Sequence, residues 1–205
     1  MNKTKSNGIK SPSPASVINP IDLKKFKSYF KSRSLRDYTL FCFNLNIGLR
    51  ASDLLSLRCF DVFDEKWHPI DTLIIKEQKT GKTREIYLNK TARELLRNYR
   101  KQYSNSLSYD GYLFPSRKQN QGEGHLTVTS FDRILREAAH KLHLHRRYNF
   151  SSHSIRKTFG STLYNSDVPI EIIQEMFKHS NTKTTKIYID INKKEIKKGY
   201  KNLKI

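Results

Sequence analysis

Cysteine is nearly missing from this sequence. Cys42 and Cys59 are the only two in 205 residues. Each lies in an apolar stretch and neither stands in a metal-ligand spacing, which excludes a disulfide framework or a cysteine-built metal site as the organising element. Both are expected to be buried as small hydrophobes, with no disulfide and no redox chemistry. Long apolar runs are missing too: none approaches a membrane span, and the opening segment MNKTKSNGIK lacks the apolar core of a signal peptide. No internal repeat at a solenoid period is visible. Acidic side chains are the third shortage, 19 against 39 lysines and arginines, for a formal net charge of +20. A field of that sign attracts polyanions, so the first partner to consider is nucleic acid, and no membrane partner is expected. The expected location is the cytoplasm, in association with the nucleoid.

What remains is enough chain for one sizeable core and too little for two ordinary domains. Residues 1–20 are polar, basic and broken by Pro12, Pro14 and Pro20, which reads as a flexible arm. Residues 21–205 read as one globular domain. Ile21, Leu23, Phe26, Tyr29 and Phe30 recur at helical intervals, and a second helix runs through Leu35, Tyr38, Leu40, Phe41 and Leu45 to Gly48. Ser52 or Asp53 is placed to cap a short third helix. Phe60 to Phe63 and Thr72 to Glu77 look like strands; after the turn KTGK, the stretch REIYL alternates as a returning strand. Further helices are expected after Asn89, from Thr129 with Asp132 in a capping arrangement, near His153 behind Ser152, at Pro169, and from Asn181 or Thr182. The fold class is therefore mainly α with a small antiparallel β-sheet, an α+β arrangement.

Chemistry concentrates in few places. The sequence HSIR sets His153 and Arg156 three residues apart, on one face of a helix. A guanidinium can grip two non-bridging oxygens of a phosphate, and an imidazole beside it can exchange a proton near neutral pH. The run HKLHLH offers His140, His143 and His145, but no cysteine or carboxylate nearby completes a tetrahedral set, so it reads as a basic surface loop and no metal is assigned. Lys193, Lys194, Lys197 and Lys198 in the tail suit solvent or DNA phosphates.

The segment HSIRKTFGSTLYNSDVPIEIIQEMFKHSNTKTTKIYI resembles the second half of the tyrosine recombinase, or phage integrase, family. In that family a His-x-x-Arg helix is followed by a Gly-His-Ser-like turn and then a tyrosine; the matching positions are Lys178, His179, Ser180 and Tyr188. Upstream, NIGLRASDLLSLRCFDV is similar to the family's first box, with Arg50 in the arginine's place. Between the boxes, IIKEQKTGKTREIYL resembles the β-hairpin whose lysine reaches the cleavage site; Lys79 matches best, with Lys76 and Lys82 as competitors. Lys178 departs from the usual glycine, and Ser154 from the frequent aspartate or threonine. The likeness spans about Leu23 to Ile191, with the four motifs in the family's order.

This resemblance implies a recombinase catalytic domain that cuts and rejoins DNA through a 3′-phosphotyrosyl ester. Arg50 and Arg156 would clamp the scissile phosphate, Tyr188 would attack it, His153 would accept the phenolic proton, His179 would hydrogen-bond the phosphate, and Lys79 would protonate the departing 5′-oxygen. No cofactor is implied, neither ATP nor a metal. Double-stranded DNA, a homotetramer on synapsed sites, and a DNA-bending accessory protein are the implied partners. The C-terminal segment, about 192–205, would be exchanged between subunits. Only about twenty residues precede the domain, so the expected protein is abbreviated like the fimbrial-switch invertases, with inversion and integration or excision both open. Each residue also has a structural use: Arg50 can pair with Asp53, Lys79 can be an ordinary hairpin lysine, and Tyr188 can pack with Ile187 and Ile191. The alternatives of another class are a non-catalytic DNA-binding regulator on the same fold and a type IB topoisomerase.

Overall fold

The computed structural model describes residues 15–116, 124–178 and 184–186. Helix α1, Pro20–Arg33, begins where Asn19 accepts a hydrogen bond from the Asp22 amide and Pro20 supplies a preset first turn. Ser34 ends α1 and at once caps α2, Leu35–Ile47, by accepting from the Asp37 amide. Leu40, Phe41, Phe43 and Ile47 bury nearly every side of α2, which makes it the central helix, packed against α1, α4 (Lys90–Gln102) and α6 (Ser152–Asn165). Gly48, left-handed at φ 60°, stops it.

Helix α3, Ala51–Leu55, follows with Arg50 at its N-cap, two or three residues before the caps expected from sequence. Strands β1, Thr72–Lys76, and β2, Thr83–Tyr87, pair antiparallel with Thr72 opposite Tyr87 and Lys76 opposite Thr83. Gly81 at φ 66° lets the turn between them close. Asn89 caps α4 through the Ala92 amide, and helices α5, Val128–Lys141, and α7, Ile170–Phe177, complete the described elements. The mainly helical fold with a small antiparallel sheet is thus the observed one.

Three local readings change. The stretch expected as a strand at Phe60 to Phe63 is a 3₁₀ turn at Cys59–Asp61, because the Asp61 carboxylate accepts from the Arg58 amide at 2.7 Å and curls the chain. Asp132 does not take part in capping α5. Thr127 does that, through the Ser130 amide, and Asp132 is instead the acceptor for the Ser152 amide at the start of α6. Within the stretch read as an arm, residues 15–19 are docked: Ile18 is buried, and its amide donates to Thr158 Oγ1 at 2.9 Å. An apolar side chain there outweighs the polar composition around it.

Phe26, Phe30, Phe41 and Phe150 form the aromatic centre of the main core. Phe159, Ile173 and Phe177 build a second, smaller cluster, so α6 spans both, with Ile155 in one and Phe159 in the other. Cys42 and Cys59 are buried and unpaired, with burial pushing both thiols up to about 11. No helix among the described residues is long and apolar enough to cross a membrane, and none of them form a cluster of metal-ligating side chains.

Candidate active site

The site is built at the corner where α2 ends. Gly48 turns the chain in a conformation that disfavours side chains, and a β-carbon there would lie 2.1 Å from Phe159 Cδ1. With that close approach, the backbone of α2 sits directly on α6, and the next residues carry Arg50 onto the face of the β-hairpin. Arg50 Nη1 is 2.7 Å from Glu77 Oε2 and 3.9 Å from Asp53 Oδ2. Its main partner is therefore Glu77, 27 positions downstream, and not the neighbouring aspartate. Asp53 Oδ1 accepts from the Gln78 amide at 2.9 Å, a second tie between α3 and the hairpin.

Glu77 has no exposed surface. Burial works to raise its pKa, but the close contact with Arg50, the hydrogen bond from Thr80 and the charges of Arg50 and Arg84 outweigh it, holding the carboxyl below its ordinary value. Arg84, also buried, lies 3.7 Å from the other carboxylate oxygen.

Arg156 stands on the second turn of α6 and is 1% exposed. Its Nη1 donates to the Gly48 carbonyl, its Nη2 to the Phe177 carbonyl at 3.2 Å. The guanidinium carbon lies 4.4 Å from the centre of the Phe177 ring. A cation inside the protein is tolerable with such partners, and they fix the plane of its fork. This side chain thus ties the chain just before Arg50 to the C-terminal end of α7.

His153, one turn earlier on α6, is exposed. Its pKa is lowered, first by lost hydration and then by the positive charges of Arg156, Lys79 and Arg50; Asp132 opposes them. Arg50 and Lys79, from two other segments, and Arg156 on the same helix thus all act on one imidazole. Lys79 is the hairpin lysine felt at His153. Lys82 acts on Glu175 of α7, and Lys76 lines a polar cavity of about 160 Å³ with Asp53, Ser56 and Asp61. The competitors from the sequence reading therefore have different surroundings.

Lys178 caps α7 in the left-handed region at φ 51°, where glycine is favoured, which explains why its presence departs from the pattern; the strain costs roughly 1–2 kcal/mol. It pairs with Glu175. His179 and Tyr188 lie outside the described residues. Sequence reasoning missed Glu77, Arg84 and the role of Asp132; the only signal was a glutamate and an arginine at the two ends of a hairpin turn, a pattern that ordinarily faces solvent. His140 and His145 stack with ring centres 4.2 Å apart, apart from this constellation.

The fold is that of a tyrosine recombinase catalytic domain. The chain belongs to the phage integrase family, whose sequence profile matches residues 18–195. It is 31% identical over 189 residues to the probable integrase/recombinase YoeC of Bacillus subtilis (strain 168), covering 90% of this chain and 96% of that one. To the tyrosine recombinase XerA of Pyrococcus horikoshii it is 28% identical over 203 residues, covering 99% of this chain and 66% of the relative. The crystal structure of XerA recombinase superposes with a TM-score of 0.76 at 20% identity, over 96% of this chain and 67% of that chain. XerH site-specific recombinase bound to palindromic difH substrate superposes with a TM-score of 0.72 at 20% identity, over 94% and 54%. The chain thus spans nearly all of YoeC and between about half and two thirds of the Xer proteins.

Proposed function

We propose that this chain is a site-specific DNA recombinase that cuts and rejoins duplex DNA through a 3′-phosphotyrosyl intermediate. The observation that carries the reading is that Arg156, on the helix of His153, bonds to the Gly48 carbonyl two residues before Arg50, with the charges of Arg50 and Lys79 also felt at His153. A phosphodiester repels nucleophiles and gains charge on its equatorial oxygens in the transition state, so preorganised cations lower the barrier most. Arg50 and Arg156 hold the non-bridging oxygens. The Tyr188 phenolic oxygen attacks phosphorus and passes its proton to His153, whose lowered pKa keeps the imidazole neutral and able to accept it. As the new P–O bond forms, the bond to the 5′-oxygen breaks, and Lys79 protonates the leaving oxygen. His179 donates to the phosphate. The partner strand's 5′-hydroxyl reverses these steps, and since the tyrosyl ester keeps the energy of the phosphodiester, the exchange needs no ATP.

The net charge of +20 suits a DNA substrate, and the solved XerH relative is bound to DNA. In this reading residues 21–205 form the catalytic domain, the segment 192–205 passes to a neighbouring subunit, and four subunits act on two synapsed duplexes, inverting a segment or moving an element. The test uses nicked suicide duplexes built on repeats flanking the gene. The chain should leave a covalent protein–DNA adduct on a denaturing gel, and Tyr188→Phe should bind the same duplex without forming it. An adduct that survives Tyr188→Phe would remove that residue from the mechanism. Relaxation of plasmid without sequence preference would favour a topoisomerase instead.

A further inference from the structure

We propose that Glu77 is a positioning residue which fixes the turn carrying Lys79 against Arg50, so that one buried carboxylate sets both the proton donor and the phosphate clamp. The inference rests on the recombinase reading above. A single oxygen, Glu77 Oε2, meets Arg50 Nη1 at 2.7 Å and accepts from Thr80 Oγ1 at 2.8 Å. Thr80 is the neighbour of Lys79. The Glu77 backbone closes the same turn: its amide donates to the Lys82 carbonyl at 3.0 Å, and its carbonyl accepts from the Gly81 amide at 2.8 Å. A β-carbon on Gly81 would meet nothing within 4 Å, so the tip of the turn owes its position to these links and to the bond from the Gln78 amide to Asp53.

The energetics point the same way. Burying a carboxylate between two guanidiniums, Arg50 and Arg84, takes three charges out of water, and such clusters are poor sources of stability compared with apolar packing. What the cluster provides is geometry. Glu77 Oε1 has no hydrogen-bond partner among the described residues and faces Arg84 only as an ion pair. The hydrogen bond from Thr80 and the short ion pair with Arg50 both fall on Oε2, between clamp and turn. Arg84 supplies the second charge that keeps the carboxylate ionised.

Two variants and two substrates separate this role from simple fold support. One duplex carries the ordinary phosphate and the other a sulfur in place of the 5′-bridging oxygen, a leaving group that departs without a proton. Thr80→Val cuts the tie between turn and carboxylate. It should slow cleavage of the ordinary duplex by about tenfold or more, leave gel-shift affinity within about twofold, and cleave the sulfur duplex at the wild-type rate. Glu77→Gln keeps an acceptor for Thr80 but loses the charge that holds Arg50, so it should slow both duplexes by about tenfold or more. If Thr80→Val cleaves both at the wild-type rate or slows both alike, or if Glu77→Gln cleaves normally, the proposal is overturned. Should Glu77→Gln fail to fold, Thr80→Val alone decides. Absence of an adduct from the unaltered chain would instead strike the recombinase reading itself, and this one with it.

Discussion

Arg156 donates through Nη1 to the carbonyl of Gly48, a residue 108 positions earlier in the chain. The bond joins the start of α6 to the end of α2 and leaves Arg50 two residues away, so the two candidate clamps are held by one piece of backbone. Gly48 is the only residue type that suits this junction. A side chain would have to occupy the Phe159 ring and also adopt φ 60°.

Gly48→Ala is accordingly expected to destabilise the fold by about 2–4 kcal/mol, from left-handed strain and overpacking together. Thermal unfolding should show a midpoint lower by roughly 5–15 °C for a chain of this size. A midpoint unchanged within a degree would mean that α6 can move away at little cost.

Arg156→Lys should abolish cleavage in the suicide assay while leaving DNA affinity within about tenfold, because an ammonium cannot reproduce the planar fork that meets the Gly48 and Phe177 carbonyls. Near-normal cleavage would take Arg156 out of the chemistry.

The protonation of His153 offers a test that needs no DNA. Lys79 is one of the cations that lower its pKa, so Lys79→Met should raise it toward the ordinary histidine value, whereas Asp132→Asn, which removes the opposing charge, should lower it further. Nuclear magnetic resonance titration of the imidazole reads both. Because the folded-state pKa lies below the unfolded one, His153 should also make the fold less stable as pH falls from the unfolded value through the folded one. A Lys79→Met variant with an unmoved His153 titration would place that lysine elsewhere.

Asp22 is a buried carboxylate with its own set of partners. Its carboxylate accepts from Tyr148 at 2.7 Å and from Arg147 at 3.0 Å, tying α1 to the loop before α6. Desolvation raises its pKa, yet bonds from Tyr148, Lys25, Asn19 and Arg147 hold it below its ordinary value. This contribution to stability is present above the unfolded pKa and is lost as pH falls through the folded one. Asp22→Ala should cost about 1–3 kcal/mol in urea unfolding at neutral pH, and the difference from wild type should narrow under acid. A difference that stays constant down to strongly acid pH would assign the loss to packing instead.

Much of this molecule was legible in one dimension because it depends on local rules. Helical spacing of Phe26 and Phe30, the cap at Asn89, and the glycine in KTGK each follow from residues within a few positions. So does the pairing of His153 with Arg156 on one helical face. Where local rules competed, the reading slipped. Apolar residues at Phe60 to Phe63 looked like a strand until the Asp61 carboxylate bent the chain, and Asp132 looked like a cap for its own helix although its partner belongs to α6.

By itself the sequence determined the class of fold, the family motifs and a basic charge that predisposes the chain to nucleic acid. Tertiary structure alone decided which carboxylate holds Arg50, which hairpin lysine is felt at His153, and what orients the Arg156 guanidinium. The reason is physical: secondary structure is governed by neighbours along the backbone, whereas a buried charge is governed by whatever lies within a few ångströms in space. Glu77 and Arg50 are 27 residues apart, Gly48 and Arg156 are 108, and only packing α2, α6 and the hairpin together sets those distances.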